Sequence, residues 1–485
     1  MKLSILLLAA ASVALPQVPR TWETSAVASL ELPLANPKFS PLHISEADYY
    51  RIPARVIYKN YPVYAPGREP VGYMEWLKRQ EPEIGFVSSK LHTRQAWIAA
   101  GELVFNAPVS YGPVFFSVED LKNPAFFGKD GMPVARDGTV PFARWVIRRK
   151  GVVELGSMGC NTCHTRVMPN GSVVPGAPDN NPGDREGAQM LRRTAQTGDP
   201  VKVLQRMRGF ARQFETPWAP DDPNGIARSL SLGEFIAAGE AIPPGITARS
   251  NTSMILPPQI PDLIGVEERR YLDHTGLIRQ RSIGDLMRYA SLAQDAFAFD
   301  KYPDERAPAP KAGHGARYSD AQLYALALYL HSLHPPPNPN RFDKLAARGK
   351  AVFQRERCAR CHTPPLYTNN KLTPVDGFDS AADREPDVLN VRVGTDPRYA
   401  LATHKGTGYY KVPSLKGVWY RGPFGHNGSA ATLKDWFDSA RLRPGYIPTG
   451  FRGYDGKTRS IPGHRFGLDL SAEDRKALIA FLKTL

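Results

Sequence analysis

Apolar residues recur at helical spacing in four parts of this 485-residue chain, and they predict a mainly α-helical protein. The four runs cover residues 96–107, 323–333, 344–357 and 478–485. Ser319 and Ser471 stand ahead of the second and fourth runs, where a serine hydroxyl caps the free N–H groups of the first helical turn. Each of these two helices should therefore begin close to its serine.

Shorter stretches alternate between apolar and polar residues and predict two small β-hairpins. Residues 145–147 and 152–155 flank a turn at Lys150-Gly151, and residues 167–174 have an Asn-Gly pair at their centre. The chain also contains 41 glycines and 45 prolines, which interrupt regular elements. We therefore expect helices and small hairpins joined by many loops.

Two copies of one pentapeptide indicate the chemistry. The stretches Cys160-Asn161-Thr162-Cys163-His164 and Cys358-Ala359-Arg360-Cys361-His362 both read C-x-x-C-H, and together they use all four cysteines. This spacing is that of a c-type haem attachment site. Both cysteines then form thioethers to the haem, and the histidine binds the iron. The sequence predicts two covalently attached haem c groups, with His164 and His362 as proximal ligands.

Other uses of the cysteines fit less well. A thioredoxin-like redox pair needs only one C-x-x-C. A four-cysteine zinc site would need the two pairs together, but 194 residues separate Cys163 from Cys358. Two structural disulfides are a further alternative in an exported protein, although C-x-x-C is a tight loop to cross-link.

Each haem motif is followed by one of the serine-capped helices, which is the order of a class I cytochrome c fold. The sequence thus predicts two tandem class I cytochrome c-like domains. The predicted division is a signal peptide at 1–20, an N-terminal segment wrapping the outside at 21–95, a first and larger haem domain at 96–334, a proline-rich linker at 335–340 and a second haem domain at 341–485.

The N-terminus has the form of an export signal. Met1-Lys2 is a short positive start, residues 3–14 are apolar and too few to span a membrane, and Ser12-Val13-Ala14 offers small residues for cleavage. Bacterial c-type haem is attached outside the cytoplasmic membrane. We therefore expect a periplasmic or secreted protein with no stable membrane insertion after cleavage.

The chain is strongly basic, with 62 lysines and arginines against 47 acidic residues and a formal charge of +15. In an exported protein this favours a small acidic redox partner, as electron donor or acceptor, over nucleic acid, because the charges are scattered. Some of the arginines should meet haem propionates, with Arg269, Arg270, Arg279 and Arg281 as examples.

The sequence offers more than one candidate for the second axial ligand of each haem. All nine methionines lie at or before Met287, so the second haem must take a histidine if its ligand is local. The candidates are His404, His426 and His464. His464 is preferred because its flanking glycines let the backbone approach a flat ring, and His426 is the alternative. For the distal position of the first haem, the sequence leaves four options: Met287, His274, a water molecule or no ligand.

Two stretches of the second domain resemble a known signature. Residues 412–419, V-P-S-L-K-G-V-W, and 422–433, G-P-F-G-H-N-G-S-A-A-T-L, are similar to that of the bacterial dihaem cytochrome c peroxidases. Residues 443–467 contain further short matches to the branch with the dihaem rubber oxygenase, and the 198-residue separation of the haem motifs also fits that branch. The chain thus resembles the dihaem cytochrome c peroxidase superfamily, and most closely its rubber oxygenase-like branch.

The resemblance implies that the two haems differ in function. His362 and a distal histidine would hold a six-coordinate electron relay, and the haem of His164 would be the reactive centre for peroxide or oxygen. No catalytic side chain is assigned. Two alternatives stay open: a pure electron-transfer cytochrome with both haems six-coordinate, and an oxygenase acting on a hydrophobic substrate. A Ca²⁺ ion between the domains is a further expectation.

Overall fold

The computed structural model describes residues 17–112, 114–128, 131–249, 252–303, 316–379, 387–456 and 459–485, without the side chains of 295–298. Most of the predicted signal peptide, residues 1–16, therefore lies outside the described residues. None of the helices within these ranges combines the length and apolar character needed to cross a bilayer.

The described chain is a mixture of helices and small sheets. Its helices are α1 (Thr24–Ala28), α2 (Glu46–Arg51), α3 (Tyr73–Lys78), α4 (Arg94–Asn106), α5 (Val118–Lys122), α6 (Cys160–Cys163), α7 (Gly183–Thr197), α8 (Pro200–Ala211), α9 (Leu232–Glu240), α10 (Ile283–Phe299), α11 (Asp320–His331), α12 (Lys344–Arg355), α13 (Arg398–Leu401), α14 (Leu433–Trp436) and α15 (Ala472–Lys483). Short 3₁₀ turns connect several of them.

The strands are short, and their sheets are small. They are β1 (Leu42–His43), β2 (Asn60–Tyr64), β3 (Ser110–Tyr111), β4 (Thr139–Arg149), β5 (Val152–Ser157), β6 (Thr165–Val167), β7 (Val173–Pro175), β8 (Tyr271–Leu272), β9 (Ile278–Arg279), β10 (Asp300–Lys301), β11 (Leu372–Pro374) and β12 (Tyr409–Lys411). The largest described sheet has the antiparallel order β2-β4-β5-β3, and the remaining strands pair in twos.

The helices predicted from apolar spacing are confirmed as α4, α11, α12 and α15. The hydroxyl of Ser319 accepts the backbone N–H of Gln322, and that of Ser471 accepts the N–H of Asp474, so both serines cap as predicted. Both hairpins are also confirmed, as β4–β5 and β6–β7. The sequence therefore fixes these elements by local signals alone.

Two helix pairs form the cores of the two halves. Helix α4 packs against α11, and α12 packs against α15, and in each pair a glycine lies at the crossing. A Cβ atom on Gly101 would overlap the carbonyl of Ala325, and one on Gly349 would overlap the carbonyl of Ala477. The backbones can approach this closely only because both positions lack a side chain.

The segment predicted to wrap the outside also contributes to the main core. Trp22, Leu30 and Tyr49 are each at most 1% exposed and pack in the same cluster as α4, α10 and α11. Strand β2 of the same segment pairs with β4 in the four-stranded sheet. Its aromatic rings bury large apolar surfaces, which stabilises the segment against the first half.

Candidate haem site

The second C-x-x-C-H motif opens onto a cavity of about 490 Å³. Cys358, Cys361 and His362 lie at one side, and apolar residues of α12, α14 and α15 line much of the remainder, among them Phe353, Leu433, Leu478 and Leu482. This volume is that of a typical cofactor site. The motif therefore lies where a large flat group can be enclosed by the helix pair of the second half.

The ring of His362 is oriented by backbone carbonyls. Its Nδ1 lies 3.1 Å from the carbonyl oxygen of Pro413 and 3.2 Å from that of Tyr367. Since a carbonyl only accepts, Nδ1 carries the proton, and Nε2 keeps its lone pair for a metal. Burial lowers the pKa of His362, which favours the neutral form that binds metals.

His464 faces His362 across the cavity. The two ring centroids are 6.4 Å apart, and both rings line the cavity. With imidazole–metal bonds of about 2.0–2.1 Å, two histidines on opposite sides of one iron have ring centroids roughly 6 Å apart. Burial lowers the pKa of His464 to about 4, so this ring is also neutral. The pair fits the two axial positions of one iron.

A tight loop and a buried arginine hold His464 in place. His464 has φ +44°, and its backbone N–H donates to the carbonyl of Val393 at 2.6 Å. Gly463 precedes it at φ +73°, where a Cβ atom would overlap the backbone of Gly394. The fully buried Arg441 donates to the carbonyls of Gly463 and His464, each at 2.9 Å. These charge-assisted bonds fix the loop against α14.

The other two histidine candidates have different contacts. His426 stacks on Tyr410 with centroids 3.5 Å apart, and its Nε2 lies 3.0 Å from the hydroxyl of Thr395. His404 is buried between Trp218 and Tyr302. The structure thus brings His464, and neither of the alternatives, opposite His362.

Part of the cavity lining carries an excess of positive charge. Arg269, Lys411 and Arg421 line it together with one carboxylate, Asp262. Burial and the neighbouring Arg269 lower the pKa of Lys411 to about 7. Buried cations without matching anions are costly, so this part suits an anionic group such as the haem propionates. Of the arginines named from the sequence, Arg269 is the one that lines this cavity, whereas Arg270 pairs with Asp387.

The first motif presents the same donors. Nδ1 of His164 lies 3.1 Å from the carbonyl of Pro261, and burial lowers the pKa of this ring to about 4. Cys160 and Cys163 are thiols outside any disulfide, as are Cys358 and Cys361. A cavity of about 20 Å³ lies beside Cys163. Each motif therefore presents the two thiols and the neutral histidine that a c-type haem needs. The large cavity that could enclose the ring is seen at the second motif.

The sequence prediction missed an internal repeat that supplies the carbonyl partner of each motif histidine. Residues 260–266 read I-P-D-L-I-G-V, and residues 412–418 read V-P-S-L-K-G-V. Thirteen residues after each proline comes a histidine followed by x-Gly, at His274 and His426. Aligning the chain with itself would have shown this repeat, and it would have identified Pro261 as the partner of His164.

No metal cluster of another kind is described. Within the described ranges, no group of three or more His, Cys, Asp or Glu side chains is placed to hold a metal ion. The predicted Ca²⁺ ion between the domains therefore stays a prediction.

Comparisons with known proteins agree with the signature. No family model matches the chain. It is 29% identical over 161 residues to the cytochrome-c peroxidase IdrP1 of Denitromonas iodatirespirans, which covers 29% of this chain and 40% of that protein. It is 26% identical over 166 residues to the protein of the same name from Pseudomonas sp. (strain SCT), covering 30% and 41%. The chain thus matches less than half the length of these two relatives.

Two solved structures are also similar. The hydrazine synthase of Kuenenia stuttgartiensis, pressurized with xenon, matches with a TM-score of 0.32 and 17% identity, over 58% of this chain and 87% of that one. A MauG-like protein associated with microbial copper homeostasis matches with a TM-score of 0.31 and 16% identity, over 58% and 88%. The sequence matches therefore show a distant similarity of this chain to two cytochrome-c peroxidases.

Proposed function

We propose that this protein is an exported dihaem c-type cytochrome and a haem-dependent oxidoreductase of the dihaem cytochrome c peroxidase superfamily. The haem at Cys358, Cys361 and His362 would be the electron relay, and the haem at Cys160, Cys163 and His164 the reactive centre. The observation that carries the proposal is the pair His362 and His464, which face each other at 6.4 Å across a cavity with both cysteines at its side.

At the second site, the chain's own residues favour electron transfer over substrate binding. His362 and His464 would both hold the iron, and the carbonyl of Pro413 and the guanidinium of Arg441 keep the two residues in position. When bound, a haem would supply a one-electron iron couple here, and a site with two histidine ligands suits electron transfer rather than the binding of peroxide or oxygen. The cations of the cavity lining would offset the charge of the propionates.

At the first site, the side chains proposed for the sixth position have other contacts. Met287 is fully buried in the main core, as expected for a helical methionine. Nε2 of His274 lies 2.6 Å from the carbonyl of Gln259 and donates to it. Both contacts favour a sixth position left open for an exogenous ligand. This is why we assign the reactive role to the haem of His164.

An acidic redox protein is the partner that fits the second site. Arg357 and Arg360 are exposed and line the cavity beside Cys358 and Cys361. In c-type sites the thioether edge is the part of the ring closest to these residues. Opposite charge on a partner would speed its encounter with this edge, and salt would weaken the effect.

The proposal predicts two covalent haems in each mature chain. A pyridine haemochrome assay with intact-mass measurement should give the polypeptide plus two haem groups and no free thiol. The double variants Cys160→Ser/Cys163→Ser and Cys358→Ser/Cys361→Ser should each retain one haem. A single haem in the unaltered protein, or haem that acid solvent extracts, would contradict the proposal.

A further inference from the structure

The internal repeat has the same backbone conformation in both halves. Pro261 and Pro413 accept the Nδ1 protons of the two motif histidines, each at 3.1 Å. Four residues after each proline the backbone is left-handed, with φ +70° at Gly265 and φ +76° at Gly417. The two loops that orient the proximal histidines are therefore built alike.

The two repeats exchange hydrogen bonds. The backbone N–H of Gln259 donates to the carbonyl of His426 at 2.8 Å, and the backbone N–H of Lys411 donates to the carbonyl of His274 at 3.0 Å. Gln259 and Lys411 each stand two residues before the proline of their own repeat. Each histidine-orienting loop is thus bonded to the His-x-Gly turn of the other half.

One ring completes a continuous connection between the two proximal histidines. The connection begins at His362, whose Nδ1–H donates to the carbonyl of Pro413. From Pro413 the main chain runs back two residues to Lys411. The N–H of Lys411 donates to the carbonyl of His274, whose Nε2–H donates to the carbonyl of Gln259 at 2.6 Å.

From Gln259 the chain leads forward to Pro261, whose carbonyl accepts Nδ1–H of His164. Two short stretches of main chain and four hydrogen bonds therefore join His362 to His164, with the residue His274 itself as the central link.

His426 occupies the position of His274 in the other repeat, but its ring makes no equivalent hydrogen bond between the two repeats. The ring of His426 stacks on Tyr410, and its Nε2 contacts Thr395 instead of the backbone of Lys411. Of these two histidines, His274 is therefore the one whose ring bonds to the backbone of a repeat. Its burial lowers its pKa and keeps one N–H on the ring, which the carbonyl of Gln259 accepts.

We propose that His274 is a positioning residue that couples the two haem sites, by completing a hydrogen-bonded route for electrons between them beside the one through Gln259, Arg421 and Ser414. The proposal rests on the proposed dihaem function. One electron would leave the iron bound by His362 and His464, which is oxidised, and reach the iron bound by His164, which is reduced. A one-electron redox protein would supply that electron from outside, and the proton of His274 would stay on Nε2.

Tunnelling decays more slowly along bonds than across gaps, so loss of one link should slow the transfer. Loss of a direct partner of a metal-binding histidine costs about 10–100-fold, and His274 lies one link further out, so we expect His274→Phe, which keeps an aromatic ring and lacks the donor, to slow the transfer by up to about tenfold. The measurement is time-resolved absorbance after a substoichiometric pulse of a one-electron reductant. Haem content and both reduction potentials should stay as in the unaltered protein.

Two further variants separate the route from general damage. His274→Gln keeps an N–H donor and should recover part of the rate. His331→Phe changes a half-buried histidine of α11 whose ion-pair partner, Glu267, lies outside residues 260–266 and 412–418, and its rate should be unchanged. If His274→Phe does not fold, His274→Leu is the second donor-free variant.

An unaltered rate in a folded donor-free variant with two haems would overturn the coupling role. A slow rate that follows a shifted potential would also overturn it, because the driving force would then be the cause. If the unaltered protein holds one haem, the proposed function fails instead, and the haem assay distinguishes the two results.

Discussion

His464→Ala should give the ferric holoprotein a new high-spin component. The ring of His464 faces His362 at 6.4 Å, so its removal leaves one axial direction of the second iron without a protein ligand. The reduction potential of that haem should rise, because a second imidazole no longer stabilises the ferric iron. Carbon monoxide should bind at the new vacancy. Absorbance and electron paramagnetic resonance spectra of the two redox states measure all three effects.

His426→Ala is the matched control for this prediction. Its ring is also half-buried and lines the cavity, but it stacks on Tyr410 and does not face His362. The low-spin spectrum should therefore persist. The reverse pattern, with low spin kept in His464→Ala and lost in His426→Ala, would show that the distal ligand is His426.

Gly349→Val should lower the unfolding free energy of the second half more than the same substitution at an open helical glycine does. The new Cβ would overlap the carbonyl of Ala477 and lie 2.7 Å from the Cβ of Phe481, so helices α12 and α15 would have to separate. Overpacking of this kind costs about 3 kcal/mol of unfolding free energy or more when the backbone must move. Urea denaturation followed by circular dichroism would measure the loss.

Gly209→Val provides the same substitution at an open helical glycine. No atom lies within 4 Å of a Cβ built at Gly209 in α8. Its effect should stay within about 1 kcal/mol, which is the size of helix-propensity differences. Equal denaturation midpoints for Gly349→Val and Gly209→Val would mean that the close crossing of α12 and α15 does not exist.

The sequence predicted the elements that local signals determine. Serine caps located α11 and α15, and turn residues located both hairpins. The joining of β2 to β4 could not be predicted, because the two strands are far apart in the chain and either could pair elsewhere. The burial of Trp22 in the main core was missed for the same reason, since it depends on contacts with Tyr49 of α2 and Phe299 of α10.

The site was predictable where chemistry fixes the spacing. The haem motifs singled out His164 and His362, which the structure orients through backbone carbonyls, and the absence of later methionines reduced the predicted distal ligand to three residues. Spacing could not show that His464 faces His362, because the loop that places it is held by Arg441 through backbone carbonyls. The repeat at Pro261 was hidden by substitutions such as Asp262 for Ser414, although both side chains accept the backbone N–H two residues later.

The division of roles between the two haems is tested most directly by adding cyanide or carbon monoxide to the unaltered holoprotein, with electron paramagnetic resonance as the readout. The account predicts that the low-spin signal of the His362/His464 site stays unchanged while the ligand binds at the haem of Cys160, Cys163 and His164. A His164→Gly variant identifies which signal belongs to that haem. Loss of the second site's low-spin signal first would reverse the roles, and binding at neither haem would show a pure electron carrier.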